Sequence, residues 1–540
     1  MTTMPAYELY SDQFDRLTHE NTAERHDPDN MPDRGTVEAE AKLCASTARM
    51  ISSSPRGDAV EIEGALRHLC WIKEVDFPRS RFGIGPTMKR LQDDKWWLRK
   101  LATKAKRDWE AGKIAAGQVN QNRALYCTDW AVMQWRSMRR RNAEFMQEVF
   151  IFNDDGWLSS LAEIAKHSLA NPAVRRAEMM TRLKGFEEFA QDQGDGATFL
   201  TITCPSRMHA NSKRYDGTSP KQANNYLGRV WARIRAKLAR EGVAFYGFRV
   251  AEPHNDGCPH WHAIVFAHPG HLFRIEAVVQ QYAVEADAWE LKTEKAKRAR
   301  FHRERIKLRR GESGYKGGAV AYVAKYISKN IDGRREDGTS MGEVKDRNGE
   351  VVAGDAIVTA ERVLAWASLW GIRQFQQVGG LAIGPYRELR RVHQAITASA
   401  VLEVARQAAD VAGDAGFKDY MVAALRCEGL GTLKRCKFKD AYDAGDEKAA
   451  VEALNRYGEP VTDVIGVHAG GVEVITRRDD WRCLTEYAIH ALHDEACQEG
   501  EAVEFWADIC EAVNLLKLER DRVAGGLSGP PKASPLDLCQ

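Results

Sequence analysis

Two runs of β-branched and aromatic residues, separated by a tight-turn sequence, constrain the fold of this chain more than any other feature. AFYGFRVA at 244–251 and HWHAIVF at 260–266 flank PHNDGCP, whose Asp-Gly step is a strong hairpin signal. A similar run, TFLTIT, lies at 198–203, and residues 221–241 between these runs carry apolar side chains at helical spacing. The order strand, helix, hairpin and helix predicts an α+β fold with an antiparallel sheet.

Mostly helical sequence patterns flank this central domain on both sides. A long helix is predicted at about 272–310, before four glycines between 311 and 318 interrupt the chain. We predict a disordered N-terminal arm at 1–40, a helical domain that is a candidate for DNA binding at 41–190, the central domain at 191–340, a helical extension at 341–400, a C-terminal α/β accessory domain at 401–522 and a disordered tail at 523–540.

The composition argues against several classes of protein. Hydrophobic residues make up 44% and charged residues 29%, which is typical of a soluble globular protein, and the chain has no long apolar run. The N-terminus lacks the features of a secretory signal, and the 11 cysteines include no CxxC pair, which favours reduced thiols in a cytoplasm. No P-loop and no G-x-G-x-x-G sequence occurs, so we predict no nucleotide cofactor. The lack of a long apolar run predicts no membrane segment.

His260 and His262 alternate with Trp261 in the second strand of the hairpin. Alternate residues of a strand share a face, so both imidazoles can converge on one metal ion while Trp261 points to the opposite layer. Glu252 ends the preceding strand and is the best candidate for a third ligand, with His254 as the alternative. The other interpretation is structural, with two half-buried histidines that only stabilise the hairpin.

The segment YVAKYISKN at 322–330 carries two tyrosines and two lysines at helical spacing. Tyr322 and Tyr326 share one stripe of a helix, because residues four apart are neighbours. Lys329 lies on the same stripe, and Lys325 flanks it. An amphipathic core helix whose tyrosines merely pack would show the same pattern.

This combination of side chains suits phosphodiester chemistry. A free phenol has a pKa of about 10 and is a poor nucleophile at neutral pH, whereas a nearby ammonium group favours the phenolate. A metal ion that polarises a phosphodiester makes it easier to attack. A helix with two tyrosines facing a His-His-Glu metal site could therefore form a phosphotyrosine link to a nucleic-acid strand. Two tyrosines one turn apart would permit two successive transesterifications.

Rolling-circle replication initiators of the HUH endonuclease superfamily carry three motifs that this chain resembles in the same order: TFLTIT, GFRVAEPHNDGCPHWHAIVF at 247–266 and YVAKYISKN. The chain is similar in particular to the bacteriophage replication gene A protein family. Three stretches outside the central domain extend this resemblance over roughly residues 60–490: RLQDDKWWLRKL at 90–101, WGIRQFQQVGG at 370–380 and YGEPVTDVIGV at 457–467.

The resemblance implies a central HUH nuclease domain over about 195–335, with an RRM-like or ferredoxin-like antiparallel sheet and mostly helical flanking regions. His260 and His262 would bind a divalent ion, Mg²⁺ or Mn²⁺, with Glu252 as the third ligand. The residues alone leave Mn²⁺, Zn²⁺ and Mg²⁺ open, because imidazole suits transition metals whereas carboxylate suits magnesium.

The resemblance also implies roles for the tyrosine helix. Tyr322 and Tyr326 would be alternating nucleophiles, and Lys325 and Lys329 would steady the phosphate or the phenolate. Such an enzyme nicks one strand of single-stranded or supercoiled origin DNA, stays attached to the 5′ phosphate and leaves a 3′ hydroxyl as primer. Its second tyrosine later ends the round and circularises the displaced strand. The helicase and the replisome would come from the bacterial host, in whose cytoplasm the protein would act.

Two alternatives stay open on the residues. A conjugative relaxase or a transposase of the same superfamily would use the same chemistry, although relaxases usually carry the tyrosine before the histidine strand. A non-catalytic, metal-stapled DNA-binding regulator would use Tyr322 and Tyr326 only for packing or for base stacking.

Positive charge is concentrated in a few segments, although the net charge is only +2. The helix predicted at 221–241 carries a basic stripe, and a second basic segment near residue 96 carries tryptophans that can stack on bases. Solvated helix faces or a helical scaffold would also explain these features. The candidate DNA-binding residues are Arg229, Arg233, Arg235, Lys237, Trp96 and Trp97.

Overall fold

The fold of the chain comes from a computed structural model. It describes residues 33–524 except for residues 55–57, 154–156, 312–314, 316, 335–338, 341–343, 346–350, 354, 412–413, 443–447, 478–480 and 501–502. Most of the predicted arm and most of the predicted tail, at 1–32 and 525–540, therefore lie outside the described residues. Within the described ranges, no helix is both long and apolar enough to cross a membrane.

Helices pack together in the N-terminal part of the chain. The first helix begins at Arg34, because the Asp33 side chain accepts a hydrogen bond from the Thr36 amide and caps the helix. The prediction of a disordered arm up to residue 40 is therefore wrong for residues 34–40. The first four helices share one apolar core. The helices are α1 (Arg34–Ser52), α2 (Ala59–Ile72), α3 (Ile84–Leu91), α4 (Asp94–Ala115) and α5 (Asp129–Glu148).

A short sheet follows α5. Its middle strand, β1 (Val149–Phe152), pairs with β2 (Leu158–Ser160) and with a strand from far along the chain, Arg482–Thr485. The phenylalanines of β1 are buried against the last helices of the chain. The region predicted as helical at 41–190 thus also contains strands. Their sheet is completed by the strand Arg482–Thr485 from the C-terminal part of the chain. The next helices are α6 (Leu161–His167) and α7 (Pro172–Gln193).

The central part of the chain forms a five-stranded sheet. Its elements are β3 (Gly196–Thr203), α8 (Pro220–Arg240), β4 (Tyr246–Pro253), β5 (Pro259–Ala267), α9 (Pro269–Ala283), α10 (Glu294–Arg300), β6 (Phe301–Ile306), α11 (Gly318–Ile331), β7 (Val344–Lys345), β8 (Val351–Ala353), α12 (Ala356–Trp370) and β9 (Phe375–Val378). The strand order is β6-β3-β5-β4-β9, and every neighbouring pair is antiparallel. This confirms the predicted α+β class with an antiparallel sheet. At the predicted turn, Gly257 has a φ of 80°, as an Asp-Gly hairpin requires.

The two edge strands of this sheet differ from the prediction. The predicted continuous helix over 272–310 is wrong beyond Ala283, where α9 ends. Only α10 is α-helical in the rest of this range, and Phe301 and Ile306 are buried where β6 pairs with the edge of β3. At the other edge, β9 pairs with β4, so the predicted helical extension at 341–400 also contributes a strand. Both pairings join segments far apart in the chain, and local periodicity does not reveal such pairings.

Strand alternation gives the sheet two different faces. Phe199 and Ile264 lie on one face, in a core shared with α7 and α11. Leu200 and Trp261 lie on the other, in a core shared with α8, α9 and α12. We call the first the tyrosine face, because α11 carries the tyrosine segment, and the second the reverse face.

The C-terminal part combines helices with small antiparallel sheets. Its elements are α13 (Ile383–Leu389), α14 (Ala400–Asp410), α15 (Asp414–Ala424), β10 (Gly431–Cys436), β11 (Phe438–Tyr442), β12 (Lys448–Glu452), β13 (Thr462–Ala469), β14 (Val472–Ile475), β15 (Arg482–Thr485), α16 (Glu486–Glu499) and α17 (Val503–Ala524). Strand β13 lies between β10 and β14, and β11 pairs with β12. Helix α17 runs two residues past the predicted boundary at 522. A separate accessory domain at 401–522 stays a prediction.

Candidate active site

The strand register brings Glu252, His260 and His262 together. Glu252 on β4 pairs directly with His260 on β5, and His262 lies two residues further on the same face. Glu252 Oε2 lies 3.8 Å from His260 Nε2 and 3.6 Å from His262 Nε2. One ligand atom from each of the three side chains lies within 4.8 Å of the other two. Two imidazoles and a carboxylate at this spacing can hold one divalent ion.

His262 is oriented by its neighbour on β3. Thr201 pairs with His262 across the sheet, and its Oγ1 lies 2.9 Å from His262 Nδ1. This contact engages one ring nitrogen and leaves Nε2 on the side of Glu252. The Phe199 ring stacks on the imidazole at a centroid distance of 5.4 Å. Such a partner on the second nitrogen fixes the tautomer and the ring plane of a metal-binding histidine. Thr201 was not among the site residues predicted from the sequence, although its place on the first strand was predicted.

Glu252 is buried and yet ionised. Its side chain is about 2% exposed, and Lys329 Nζ lies 3.8 Å from Oε2, while the Asn330 side-chain amide donates to Oε1. Burial alone would raise the pKa of Glu252, but the Lys329 ammonium, His262 and Asn330 together lower the pKa to about 2. The carboxylate is therefore available as an anionic ligand throughout the physiological pH range. Asn330 lies four residues after Tyr326, so helical spacing could have identified it.

Tyr326 lies directly beside the His262 imidazole. Its ring centroid is 4.5 Å from that of His262 and 5.5 Å from that of Phe199. The tyrosine helix packs on the tyrosine face, with both of its tyrosines only partly buried at the margin of the core. The phenol of Tyr326 thus borders the cluster of metal-ligand candidates.

Tyr322 lies one turn away and has a different partner. Its ring is 5.9 Å from that of Phe199, and its hydroxyl donates to Glu304 Oε1 at 2.6 Å. A carboxylate that accepts this bond stabilises the neutral phenol, so Glu304, together with burial, raises the pKa of Tyr322 to about 12. Glu304 belongs to β6 and was not among the predicted site residues, because the sequence pattern predicted a helix for this segment.

The two lysines of the tyrosine helix differ in what the structure describes. Lys329 is half-buried, and its ammonium lies 5.8 Å above the Tyr126 ring. Burial lowers the pKa of Lys329, but Glu252 and Tyr126 outweigh this and raise it overall. Lys329 therefore faces the carboxylate of the candidate metal-binding cluster. The side chain of Lys325 lies outside the described part of the structure.

His254, the alternative ligand, lies beside the cluster. Its ring centroid is 4.1 Å from that of His260 and 5.1 Å from that of His209, which in turn contacts Asp256 at 3.2 Å. Burial, and then the neighbouring His209, lower the pKa of His254 to about 3, so its ring is neutral. In the part of the chain that the structure describes, the three-residue cluster contains Glu252 and omits His254.

The basic helix α8 presents most of its predicted cations to the surface. Arg229, Arg233 and Arg235 are exposed. Arg233 donates to Glu285 at 2.9 Å, and Lys237 is half-buried with its ammonium 3.0 Å from Glu241. The three arginines are exposed, so their side chains can reach DNA. Their contact with DNA stays a prediction.

Trp96 and Trp97 are buried. This contradicts the prediction that their rings stack on DNA bases, which needs an exposed surface. They are 6% and 0% exposed and belong to the core of the first four helices. The Trp97 indole donates to the Leu91 carbonyl at 2.7 Å. Helical packing of α4 against α1 buries both rings, so neither is open to stacking on a base.

A family model for the bacteriophage replication gene A protein (GPA) matches residues 66–334, about half of the chain. This range contains the histidine strand and the tyrosine helix. The chain belongs to the bacteriophage replication gene A protein family. The resemblance drawn from the three sequence motifs is thereby confirmed at the level of the family.

Relatives in the gene A family come from phages and from a prophage-like region. The replication gene A protein of Escherichia phage 186 is 38% identical over 418 residues, which cover 75% of this chain and 57% of the relative. That of Escherichia phage P2 is 32% identical over 478 residues, 84% of this chain and 58% of the relative. A probable replication endonuclease of Salmonella typhimurium is 33% identical over 465 residues, 82% and 54%. The chain spans little more than half the length of these relatives. No solved structure matches it.

Proposed function

We propose that this gene A family member is a replication initiator that nicks and rejoins one DNA strand at a phage origin by tyrosine transesterification. The observation that carries the proposal is the position of Tyr326, whose ring centroid lies 4.5 Å from that of His262. A phenol beside two imidazoles and a carboxylate meets the requirements of this reaction. The relatives' names, replication gene A protein and replication endonuclease, support the same activity.

Glu252, His260 and His262 would hold a divalent ion, Mg²⁺ or Mn²⁺, in this proposal. The donor set fits, since a buried carboxylate with a depressed pKa lies beside two imidazoles and its Oε2 is 3.8 Å or less from each Nε2. When bound, the ion supplies a Lewis acid that polarises the scissile phosphodiester. The central sheet would then be the RRM-like sheet of an HUH nuclease.

Each tyrosine would act as a nucleophile towards phosphorus. The phenol oxygen forms a bond to the phosphorus, the bond to the 3′ oxygen breaks, and that oxygen takes up a proton to leave a 3′ hydroxyl. The 5′ phosphate stays on the tyrosine as an ester, so the step needs no ATP. In the reverse direction, a 3′ hydroxyl attacks the phosphotyrosine, the strand is rejoined and the phenol regains its proton.

The two tyrosines are not equivalent. Tyr326 borders the imidazoles, whereas Tyr322 is hydrogen-bonded to Glu304, which holds it as a neutral phenol. Two nucleophiles one turn apart allow one to keep a DNA end while the other cuts again, as the end of a replication round requires. Origin DNA is the partner of this reaction, and a host helicase and the host replisome stay predictions.

Incubation with Mn²⁺ and a supercoiled plasmid that carries the origin tests the proposal. We expect a nicked product with covalently attached protein, and mass spectrometry of the adduct should find the DNA on Tyr322 or Tyr326. The double variant Tyr322→Phe/Tyr326→Phe should bind the plasmid without nicking it. Tyr487→Phe is the matched control, since Tyr487 is 84% exposed on α16, outside the site.

Three outcomes separate the candidate functions. Nicking by the double variant would overturn the assignment of the nucleophiles. Metal-dependent plasmid binding without nicking by the unmodified protein would favour a DNA-binding regulator. Cleavage of a conjugative transfer origin or a transposon end, in place of the phage origin, would favour a relaxase or a transposase.

A further inference from the structure

The reverse face of the central sheet carries a cavity, widely open to solvent, that the nicking reaction does not use. It has a volume of about 450 Å³ and lies between α8 and the strands β4 and β5. This volume is within the range of small-molecule binding sites. The side chains and the glycine that matter here are Asn224, Asn225, Gly228, Arg229, Arg249 and Trp261.

Arg249 is the unusual member of this lining. It is only 4% exposed, and its guanidinium carbon lies 3.6 Å from the centroid of the Trp261 ring. Its Nη2 donates to Gln376 Oε1 at 2.7 Å, whereas its Nε and Nη1 have no hydrogen-bond partner in the described part of the chain. Stacking on the indole fixes the plane of the guanidinium, and these two donors, each with less than 1 Å² of accessible surface, are buried with their hydrogen bonds unmade.

The charge of Arg249 is also without a counter-ion. No described carboxylate forms an ion pair with it; burial, and then the neighbouring Arg373, lower its pKa to about 10. Arg229 lines the same cavity, is exposed and makes no ion pair with any described residue. A buried cation normally has an anionic partner, because desolvating an unpaired charge is costly. An anion with several acceptor oxygens would complete this site.

The remaining lining indicates what kind of anion fits. Asn224 accepts a hydrogen bond from the Trp261 indole at 3.0 Å, and Asn225 adds a second side-chain amide at the surface. Guanidinium groups bind phosphate oxygens in a bidentate manner, and amides pair with the polar edges of bases. We propose that this pocket binds one nucleotide of single-stranded DNA, with its phosphate on Arg249 and Arg229 and its base against the two asparagines. The proposal rests on the nicking function proposed above.

The β9 edge connects the pocket with the tyrosine face, which favours a DNA strand over a free nucleotide. Gln374 donates to the backbone carbonyl of Asn330 on the tyrosine helix, and Gln376 accepts from Arg249 on the reverse face. The exposed Arg373 precedes both glutamines. A strand that leaves the candidate active site can therefore follow this short edge strand, pass the Arg373 cation and reach Arg249 on the other side of the sheet.

Binding of a labelled single-stranded oligonucleotide of mixed sequence, measured by anisotropy in EDTA, tests the pocket apart from the chemistry. We expect Arg249→Gln to raise Kd about tenfold and to reduce the slope of log Kd against log salt concentration by about 0.7, the value for one lost phosphate contact. Arg229→Gln should act in the same direction. Arg240→Gln is the matched control, since it removes the same charge from an exposed position of α8 that neither lines the cavity nor belongs to the candidate DNA contacts.

A second variant keeps the proposal falsifiable if Arg249→Gln folds poorly. A Cβ at Gly228 would meet only the Trp261 ring, at 4.0 Å, so Gly228→Leu fills the cavity with all cations in place. It should weaken oligonucleotide binding as Arg249→Gln does, at an unchanged melting temperature. Unchanged Kd in both variants would overturn the proposal and leave Arg249 as a structural residue.

Competition with small anions distinguishes the possible sources of the phosphate. A deoxynucleoside monophosphate or inorganic phosphate that displaces the oligonucleotide at micromolar concentration would mean that the pocket takes a free anion, and would overturn the DNA assignment. Oligonucleotide binding that depends on Arg249, in a protein that never nicks, would overturn the nicking function alone. Nicking with binding independent of Arg249 would overturn the pocket alone.

Discussion

The two faces of the central sheet are built from the same strands, yet they carry different ionisable side chains. On the tyrosine face, Glu252 and Glu304 lie with two imidazoles beside a pair of phenols. On the reverse face, Arg249 is buried with no carboxylate partner among the described residues. Arg249 and Glu252 are only three residues apart on β4, and because neighbouring residues of a strand point to opposite faces, they serve different surfaces.

The two proposals assign chemistry to one face of the sheet and strand binding to the other. The tyrosine face offers an anionic and imidazole donor set, which suits a divalent cation and the activation of one phosphodiester. The reverse face offers guanidinium donors on an aromatic surface, which suits the backbone and bases of a strand. Trp261 links the two, since it lies between His260 and His262 in the chain and supports Arg249 on the other side.

The largest effect should come from changing His262, a proposed metal ligand on the tyrosine face. We expect His262→Ala to reduce Mn²⁺-dependent nicking by at least about a thousandfold, because several kcal/mol of transition-state stabilisation are lost with the ion. Single-turnover nicking measured over a range of Mn²⁺ concentrations gives this value. His393→Ala, at an exposed position away from the cluster, is the control.

This variant also tests whether the two faces are independent. Oligonucleotide binding in EDTA depends on the reverse face, so its dependence on Arg249 should persist in His262→Ala. Full nicking activity of His262→Ala would remove the metal site from the proposal. Loss of oligonucleotide binding in EDTA would show that one face cannot be altered without the other.

A smaller effect should follow from loosening the same ligand without removing it. Thr201→Val keeps the shape of the side chain but loses the Oγ1 that contacts His262 Nδ1 at 2.9 Å. Because such contacts orient metal-binding histidines, we expect the Mn²⁺ concentration for half-maximal nicking to rise about 10- to 100-fold. Thr201→Ser keeps the hydroxyl and should stay near the unmodified protein. Equal behaviour of the two variants would contradict an orienting role.

Local sequence patterns predicted much of the tyrosine face. Strand alternation and the Asp-Gly turn place Glu252 opposite His260, and helical spacing places Tyr322 and Tyr326 on one stripe. The structure brings these residues together in this way. Each of these relations lies within a hairpin or within one helix, where periods of two or of 3.6 residues determine which side chains are neighbours.

Contacts between residues far apart in the chain could not be predicted from local sequence patterns. β6 reads as a continuation of a charged helix, and only its pairing with β3 brings Glu304 to Tyr322. Arg249 reads as an ordinary strand arginine, and only α8 and β9 enclose it. Trp97 lies in a basic, aromatic segment typical of a DNA contact, whereas packing of α4 buries it. In each case tertiary contacts outweigh local composition.

The smallest effect should distinguish the two tyrosines. The Tyr322 hydroxyl donates a hydrogen bond to Glu304 Oε1 at 2.6 Å. This bond, together with burial, raises the pKa of Tyr322 to about 12. Below that pH the phenol stays protonated, so nicking by Tyr322 alone should rise with pH well into the alkaline range. The variant Tyr326→Phe isolates this activity, and its single-turnover rate measured against pH gives the profile.

Glu304→Gln removes the charge that favours the neutral phenol, so the pKa of Tyr322 should fall towards its ordinary value of about 10. In the Tyr326→Phe background we therefore expect the rising limb of the profile to move to lower pH and the rate near pH 8 to increase about tenfold. The same substitution in the Tyr322→Phe background is the control, because Tyr326 lies beside His262 and its profile should keep its position. A uniform loss of rate at every pH in the Tyr326→Phe background would instead mean that Glu304 takes up the Tyr322 proton as a general base. Glu304 would then promote attack by Tyr322 instead of restraining it.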